Sequence, residues 1–437
     1  MRTSHPRRRF LTNLSISAAA LGVPRWFLAA QEPAKVIAAG DKPGIALIGC
    51  GGRGRGIANE ARAFANVVAV CDVDTARAEQ ASKQFGGAKI FRDYRELLAA
   101  PGIDAILNGT PDHWHTAINL AAMRAGKDVY SEKPLTLTID EGRRVVAVWK
   151  ETQRVFQTGS QQRSDEKFRL ACELVRNGRV GKLQHIITSL PAGLHAGPFA
   201  TAPVPPSLDW EVWQGQAPAR EYVPQRCHQM FRYWLEYSGG TMTDWGAHHN
   251  DIALWGLGLD RSGPVSVAGK QLVEPIAGGY SAPSEYEVDY EYANGVTHRC
   301  QSTTSNGFDG SVRRAPREGE LPHGVKFIGS DGWIFVTRGK IEASKPELLS
   351  EPLTQKTVEL AVSNNHMGNF FECMRSRKQP ICDAEIGHRS VSLCHLGVIA
   401  IRLGRKLRWD PEKEHFVGDD EANTHVARAQ REPYKIT

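Results

Sequence analysis

The chain has no C-x-x-C pair, no internal repeat and no low-complexity tract. It also lacks an apolar run long enough to cross a bilayer as a stable anchor. Its eight cysteines are scattered at 50, 71, 172, 227, 300, 373, 382 and 394. Such spacing reads as mostly free thiols rather than a disulfide framework, with one late pair open to an exported protein. Acidic residues are absent from the first 30 positions, which carry Arg2, Arg7, Arg8, Arg9 and Arg25. Set that stretch aside and the net charge of +6 shrinks to 49 basic against 48 acidic residues. Nothing in the remaining balance argues for a nucleic-acid partner.

The front of the chain reads as an address rather than as fold. Arg7-Arg8-Arg9-Phe10-Leu11 fits the twin-arginine pattern, and a weakly apolar stretch rich in Ala, Ser and Gly follows from Leu14 to Val23. The expected division is a signal peptide over 1–30, cut near Ala29-Ala30, and a linker over 31–42. The translocase that reads this signal carries folded proteins, so a cofactor bound in the cytoplasm travels with its enzyme. The expected destination is the periplasm, which offers no obvious pool of free cofactors. An enzyme there should hold its cofactor tightly and regenerate it in place.

What remains, about 400 residues with ordinary apolar content, suffices for two domains. The most telling stretch is Ile45-Ala46-Leu47-Ile48 running into Gly49-Cys50-Gly51-Gly52-Arg53-Gly54. The apolar run reads as a buried strand, the glycines as a tight turn, and Ile57 to Phe64 as a helix. A second strand, Val67 to Cys71, ends in Asp72, about 20 residues beyond the glycines as a dinucleotide site requires. Gly49 permits the turn, Gly51 lets backbone approach a pyrophosphate, and Gly54 allows close helix–strand packing. Asp72 would accept hydrogen bonds from a ribose, which favours NAD over NADP because a 2′-phosphate would meet a carboxylate.

From 43 to 163 strand and helix alternate, which predicts a doubly wound parallel sheet. Helices are expected over Thr75–Phe85, Thr116–Ala125 and Ile139–Lys150, with strands at Ile103–Leu107, Asp128–Tyr130 and Arg154–Gln157. Residues 164–437 read differently. A helix at Phe168–Arg176 and a strand at Leu183–Leu190 precede a Pro- and Gly-rich stretch to Pro224. Alternating residues in Tyr286–Tyr292 and Gly295–Gln301, joined at Asn294-Gly295, signal a hairpin in an antiparallel sheet with one wet face. Helices are expected again over His366–Ser376 and from Glu385 to Leu403. The second domain is therefore expected to be α+β.

The candidate chemistry collects at three places. Thr110-Pro111-Asp112-His113-Trp114-His115 follows a strand at the sheet edge where ligands bind. Thr110, Pro111, Asp112 and His115 are assigned to the cofactor side and His113 to the substrate side. Glu132-Lys133-Pro134 closes the next strand, and a lysine there is placed for proton transfer beside a cationic ring. Asp244 and His248 stand four apart, so on a helix they share a face, and the carboxylate would orient the imidazole as an acid–base group. Adjacent His248 and His249 diverge by roughly 100° on a helix, which suits one metal poorly, and no metal is expected. Gln161 and Arg163 sit at the domain junction, within reach of cofactor and substrate. Trp210, Trp213, Tyr233, Trp234, Tyr237 and Trp245 offer stacking faces for a sugar ring, with Trp234, Tyr237 and His249 assigned to the substrate.

Taken as a set and in this order, the glycine turn, Thr110–His113, Glu132-Lys133-Pro134 and Asp244-x-x-x-His248 resemble the Gfo/Idh/MocA superfamily of glucose–fructose oxidoreductase, inositol dehydrogenase and relatives. The resemblance covers essentially the whole chain behind the leader. It implies a Rossmann domain followed by an α/β domain whose large open, mostly antiparallel sheet commonly pairs subunits into a dimer or tetramer. It implies that Lys133 is the family's E-K-P lysine, often ahead of a cis proline, and that His248 is the acid–base of the D-x-x-x-H pair. Secreted glucose–fructose oxidoreductase has a twin-arginine signal and a cofactor that does not dissociate, which matches the export argument.

The leading expectation is an exported NAD-dependent oxidoreductase acting on a sugar, polyol or cyclitol. A second expectation is an NAD-dependent glycoside hydrolase or lyase that works through a transient keto-sugar and elimination. The third, a sugar- or nucleotide-binding protein without activity, fits poorly with Lys133, Asp244 and His248 all present.

Overall fold

The computed structural model describes residues 23–28, 42–303, 320–354 and 356–437. The twin-arginine stretch and nearly all of the linker lie outside the described residues. Val23 and Phe27, inside the stretch read as leader, are nonetheless 2% and 5% exposed and pack into the second domain's core. The Trp26 indole donates to the Ser350 carbonyl at 3.0 Å, and the Arg169 guanidinium lies 3.8 Å from the Phe27 ring.

Six strands form the first sheet: β1 (Gly44–Ile48), β2 (Asn66–Cys71), β3 (Lys89–Phe91), β4 (Ala105–Asn108), β5 (Asp128–Ser131) and β6 (Phe156–Thr158). All pair in parallel in the order β3-β2-β1-β4-β5-β6. Ile45 to Ile48 and Ala105 to Leu107 are buried on both faces, which is why these strands read as continuous apolar runs. Ile48 pairs with Cys71 on one side and Asn108 on the other. The loops after β1, β2 and β4 thus emerge together at the carboxyl edge, where the strand order reverses and a crevice opens.

Two helices begin earlier than periodicity predicts, and both starts shape that crevice. The first runs Gly52–Ala61, its N-terminus set on Gly51 rather than at Ile57. Glycines hide it from propensity reasoning, yet packing demands them: a Cβ on Gly54 would stand 1.9 Å from the Gly49 carbonyl oxygen. The second runs Asp112–Arg124 rather than from Thr116, because Pro111 pre-sets the turn into it.

The second sheet has nine strands: β7 (Leu183–Pro191), β8 (Ser266–Gln271), β9 (Tyr286–Glu291), β10 (Thr297–Thr303), β11 (Gly324–Gly329), β12 (Trp333–Thr337), β13 (Lys340–Ala343), β14 (Leu407–Asp410) and β15 (His415–Phe416). Their order is β13-β12-β11-β7-β10-β9-β8-β14-β15, antiparallel except for the parallel β7–β10 pair. The hairpin at Asn294-Gly295 forms as expected, with Thr297 opposite Glu291 and Gly295 at φ +83°. Helices Glu166–Arg176, Gly246–Leu257 and Ala384–Leu403 pack on the sheet around one core.

Packing does not stop at residue 163. Helix His366–Ser376 sends Met367, Phe370 and Phe371 into the core of the first sheet beside Leu47 and Tyr130. Ile436, near the chain end, joins the core on that sheet's other face. All eight cysteines are free and buried. Among the described residues, no helix is long and apolar enough to cross a membrane.

Candidate active site

A cavity of about 1460 Å³ opens at the carboxyl edge of the first sheet and runs to the second domain. One end is backbone. Gly49, at φ +88°, turns the chain out of β1, and the helix beginning at Gly52 has no side-chain cap. Its free N–H groups therefore face the cavity, the arrangement that binds phosphate. A Cβ on Gly52 would meet nothing within 4 Å, and one on Gly51 would meet only the tip of Arg77 at 3.1 Å. These residues fit a pyrophosphate. Gly54 stands behind the loop, where a Cβ on Gly109 would in turn come within 2.7 Å of its Cα. Gly109 escaped sequence reasoning, although its place directly after β4 was the available signal.

Asp72 lines the cavity at the end of β2. One carboxylate oxygen accepts the Cys50 N–H at 2.7 Å and the other the Asp74 N–H at 2.9 Å. The carboxylate thus braces the glycine turn, and each oxygen keeps a lone pair for a ribose hydroxyl. Arg53 reaches from the turn to Glu132, with its Nη2 2.7 Å from the carboxylate. Gln161 donates to the Tyr130 hydroxyl at 2.9 Å and to Glu132 at 3.2 Å. Thr110, Pro111 and Asp112 line the same wall.

At the far end the structure gathers Lys133, Asp244 and His248. The Lys133–Pro134 peptide is cis. Asp244 does not orient His248, contrary to the expectation from their spacing. The chain forms two helices, Thr241–Asp244 and Gly246–Leu257, and the Asp244 carboxylate turns to Lys133 and, at 3.5 Å, to Arg232. Burial pushes its carboxyl up, but those two cations outweigh burial and hold it below its ordinary value. Lys133 also donates to the Asp244 carbonyl at 3.1 Å. The His248 Nδ1 is buried without a partner among the described residues, and the residue lines the cavity. Burial, reinforced by the charges of Lys133 and Arg338, holds this imidazole well below 6.5 and therefore neutral near pH 7.

Several residues assigned to ligands do not face the cavity. His115 commits both ring nitrogens to carbonyls, Pro134 at 2.7 Å and Thr110 at 2.9 Å, because the early helix start turns it toward the sheet. His113 faces the Trp213 carbonyl at 2.8 Å, and burial pulls it down to about 3. Arg163, 1% exposed, holds Asp251 at 2.8 Å and Asp260 at 3.0 Å behind the site. His249 pairs with His323, ring nitrogen to ring nitrogen at 2.9 Å. Trp234 lies under Arg226 at 3.6 Å, and Tyr237 packs 5.0 Å from His113. Their aromatic cluster, with the stacked Trp210–Trp213 pair, is core. Of the six aromatics offered for stacking, only Trp213 and Trp245 line the cavity.

Other lining residues carried no sequence signal. Arg77 comes from the first turn of the helix after β2, Arg92 from the segment after β3, and Tyr94 and Arg95 from the start of helix Tyr94–Ala99, while Gln162, Arg232 and Arg338 arrive from distant segments. Among the described residues, no three or more His, Cys, Asp or Glu side chains are grouped to hold a metal.

Comparison with known proteins agrees with this geometry. Residues 44–160 match the oxidoreductase family described as an NAD-binding Rossmann fold, and residues 195–303 and 328–436 match its C-terminal alpha/beta domain. The chain is 26% identical over 325 residues to the scyllo-inositol 2-dehydrogenase (NAD(+)) of Bacillus subtilis, covering 72% of this chain and 81% of that protein. An inositol 2-dehydrogenase of Burkholderia multivorans is 35% identical over 142 residues, 31% of this chain and 42% of that protein. The fold is shared with the WlbA dehydrogenase of Bordetella pertussis, solved with NADH and UDP-GlcNAcA, at a TM-score of 0.63 and 19% identity over 84% of this chain and 99% of that one. Levoglucosan dehydrogenase, solved with NADH and levoglucosan, has a TM-score of 0.61 and 16% identity over 84% and 99% of the two chains. The chain belongs to the Gfo/Idh/MocA oxidoreductase family, with that family's NAD-binding Rossmann fold followed by its C-terminal alpha/beta domain.

Proposed function

We propose that this protein is an exported, NAD-dependent oxidoreductase that acts on a secondary hydroxyl of a sugar, polyol or cyclitol and keeps its cofactor tightly bound. The observation that carries the reading is the His248 imidazole in one cavity with Gly49, Gly51, Gly52 and Asp72, beside the Lys133–Asp244 ion pair. Bound NAD supplies a hydride acceptor in the oxidative direction. The residues do the rest. His248 Nε2 takes the hydroxyl proton as the carbon becomes a carbonyl, and returns it in the reverse direction. Lys133, held against Asp244, donates a hydrogen bond to the same oxygen and steadies the charge that develops there. Arg232 approaches the same Asp244 oxygen at 3.5 Å and helps keep that carboxylate beside the lysine.

Gly51, Gly52 and Arg53 would hold the pyrophosphate and Asp72 the adenosine ribose. Thr110, Pro111, Glu132 and Gln161 would line the nicotinamide end. The carboxylate of Asp72 supports NAD over NADP. Relatives named as inositol dehydrogenases support a cyclitol or sugar substrate. Arg7-Arg8-Arg9 supports export by the twin-arginine translocase to the periplasm. The second sheet, with alternate residues of β9 exposed, supports a dimer or tetramer.

The test uses protein purified from the exported fraction without added nucleotide. Denaturation should release NAD, identified by mass, and intact enzyme should gain absorbance near 340 nm with a free sugar or cyclitol. Glycoside cleavage without lasting absorbance would replace this reading with the redox-neutral hydrolase. Absence of both cofactor and turnover would refute it.

A further inference from the structure

The cations at the catalytic end of the cavity are not equivalent. Lys133 and Arg232 share Asp244, and Arg53 is 2.7 Å from Glu132. Arg338, in the turn between β12 and β13, lines the same space at its exposed mouth. Among the described residues it has no carboxylate within ion-pair distance. Arg92 shares that property, but it lies past β3 on the Asp72 side.

Arg338 is nevertheless held in place. Its guanidinium carbon lies 4.8 Å from the centre of the Trp245 ring. Its Nε–H reaches the Gln162 amide oxygen at 3.3 Å when that amide is turned to donate to the His248 carbonyl at 3.0 Å. With Nε taken and no hydrogen-bond partner for the two terminal nitrogens among the described residues, these form the fork left for a ligand. The Trp245 indole also meets the His248 ring, 5.8 Å between centres and nearly edge-on. The fork therefore stands one indole away from the imidazole that takes the substrate proton.

We propose that Arg338 binds an anionic substituent on the substrate ring, so that the preferred substrate is an acidic sugar or cyclitol rather than a neutral one. The inference rests on the reading of His248 as the base, because that fixes where the reacting hydroxyl lies. A ring resting against Trp245, with its hydroxyl at His248, presents a substituent on its far side to Arg338. A carboxylate there accepts two parallel, charge-assisted hydrogen bonds, and a phosphoester accepts the same fork. A neutral sugar entering the same place strips water from the guanidinium and gives no counter-charge in return. Sequence reading missed this residue because nothing around Thr337-Arg338-Gly339 marks the turn as more than a hairpin.

The test compares initial rates of the holoenzyme on glucuronate, galacturonate, glucose 6-phosphate and the neutral parent sugars at fixed ionic strength. Arg338→Ala and Arg338→Lys are measured beside the native chain. An acidic sugar should exceed its neutral parent in kcat/KM by roughly tenfold or more, carried mainly by KM. Arg338→Ala should bring that ratio toward one, and Arg338→Lys should recover part of it. Which acid leads separates a carboxylate from a phosphoester. Thermal shift of NAD-loaded protein with the same compounds reads binding without turnover. A shift with acids that Arg338→Ala abolishes, in protein that transfers no hydride, would sink the dehydrogenase reading and leave this one standing. Equal use of acidic and neutral sugars, no binding of any acid, or an Arg338→Ala variant that weakens NAD and every sugar alike would overturn the proposal.

Discussion

Two networks of basic side chains and aspartates lie close together in this molecule and do different work. Lys133, Asp244 and Arg232 meet at the cavity wall, with the lysine side chain 12% exposed. Arg163, Asp251 and Asp260 meet behind it, where the Arg163 and Asp251 side chains are 1% and 0% exposed. Both carry the same kinds of charge at similar distances. Only the first leaves its cation within reach of a ligand. The second also takes the Ser390 hydroxyl and sets Arg163 5.0 Å from the Trp255 ring, so it fastens helix Gly246–Leu257 to the junction after β6. An ion pair becomes part of a reaction site by facing a cavity, not by its charges.

The contrast is sharpest at His248, the proposed base. His248→Ala should lower kcat/KM by about 10²–10⁴-fold and leave the unfolding midpoint in place, because the lost group served the cavity. Arg163→Met should do the reverse, costing about 3–5 kcal/mol of stability by stranding Asp251, while enzyme that remains folded keeps its turnover. Denaturant melts and steady-state rates on the same preparations check both, and a large kcat/KM loss in folded Arg163→Met would break the comparison. Lys133→Met should fall between them, with a loss on the order of 10²-fold in kcat and a stability cost smaller than that of Arg163→Met, because Arg232 still faces Asp244.

A third buried carboxylate refines the contrast. Glu141, 2% exposed, accepts from Thr116 and from the Leu137 N–H, and burial pushes it up to about 7. Its ordinary value is 4.5, so the unfolded chain loses this proton first. Folding then takes up a proton between those values, and stability falls as pH rises from about 4.5 to about 7. Relative to Glu141→Gln, the native protein should lose roughly 2–3 kcal/mol across that window. Chemical denaturation of both proteins at several pH values reads the difference. The smallest effect concerns the base again: with its imidazole held below 6.5, the acid limb of kcat/KM should lie below that of an ordinary histidine.

Much of the fold was legible because its signals are local. Parallel strands buried on both faces must be apolar throughout, so β1 and β4 announced themselves. A glycine turn between strand and helix has few other uses. Helix starts were less legible: Gly52–Ala61 is poor in helix formers, and only the approach of Gly54 to Gly49 explains it. In the site, Gly51, Asp72, Thr110, Glu132, Lys133, Asp244 and His248 reached the cavity, whereas His113 and His115, from the same motif as Thr110, turned inward, as did Arg163 and His249. Periodicity gives a residue's position along an element, but one turn of helix decides whether its side chain meets ligand or core.

The sequence by itself determined the alternation of strand and helix in the first domain, the Asn294-Gly295 hairpin, the dinucleotide turn and the presence of lysine, aspartate and histidine in a workable order. Those follow from short-range sterics and burial patterns, which the chain carries residue by residue. Tertiary structure alone decided the partners: that Asp244 takes Lys133 and Arg232 instead of His248, and that a hairpin turn brings Arg338 to the mouth. Charges choose partners through space and according to how much water each retains. That information belongs to distances between segments far apart in the chain, and no local pattern holds it.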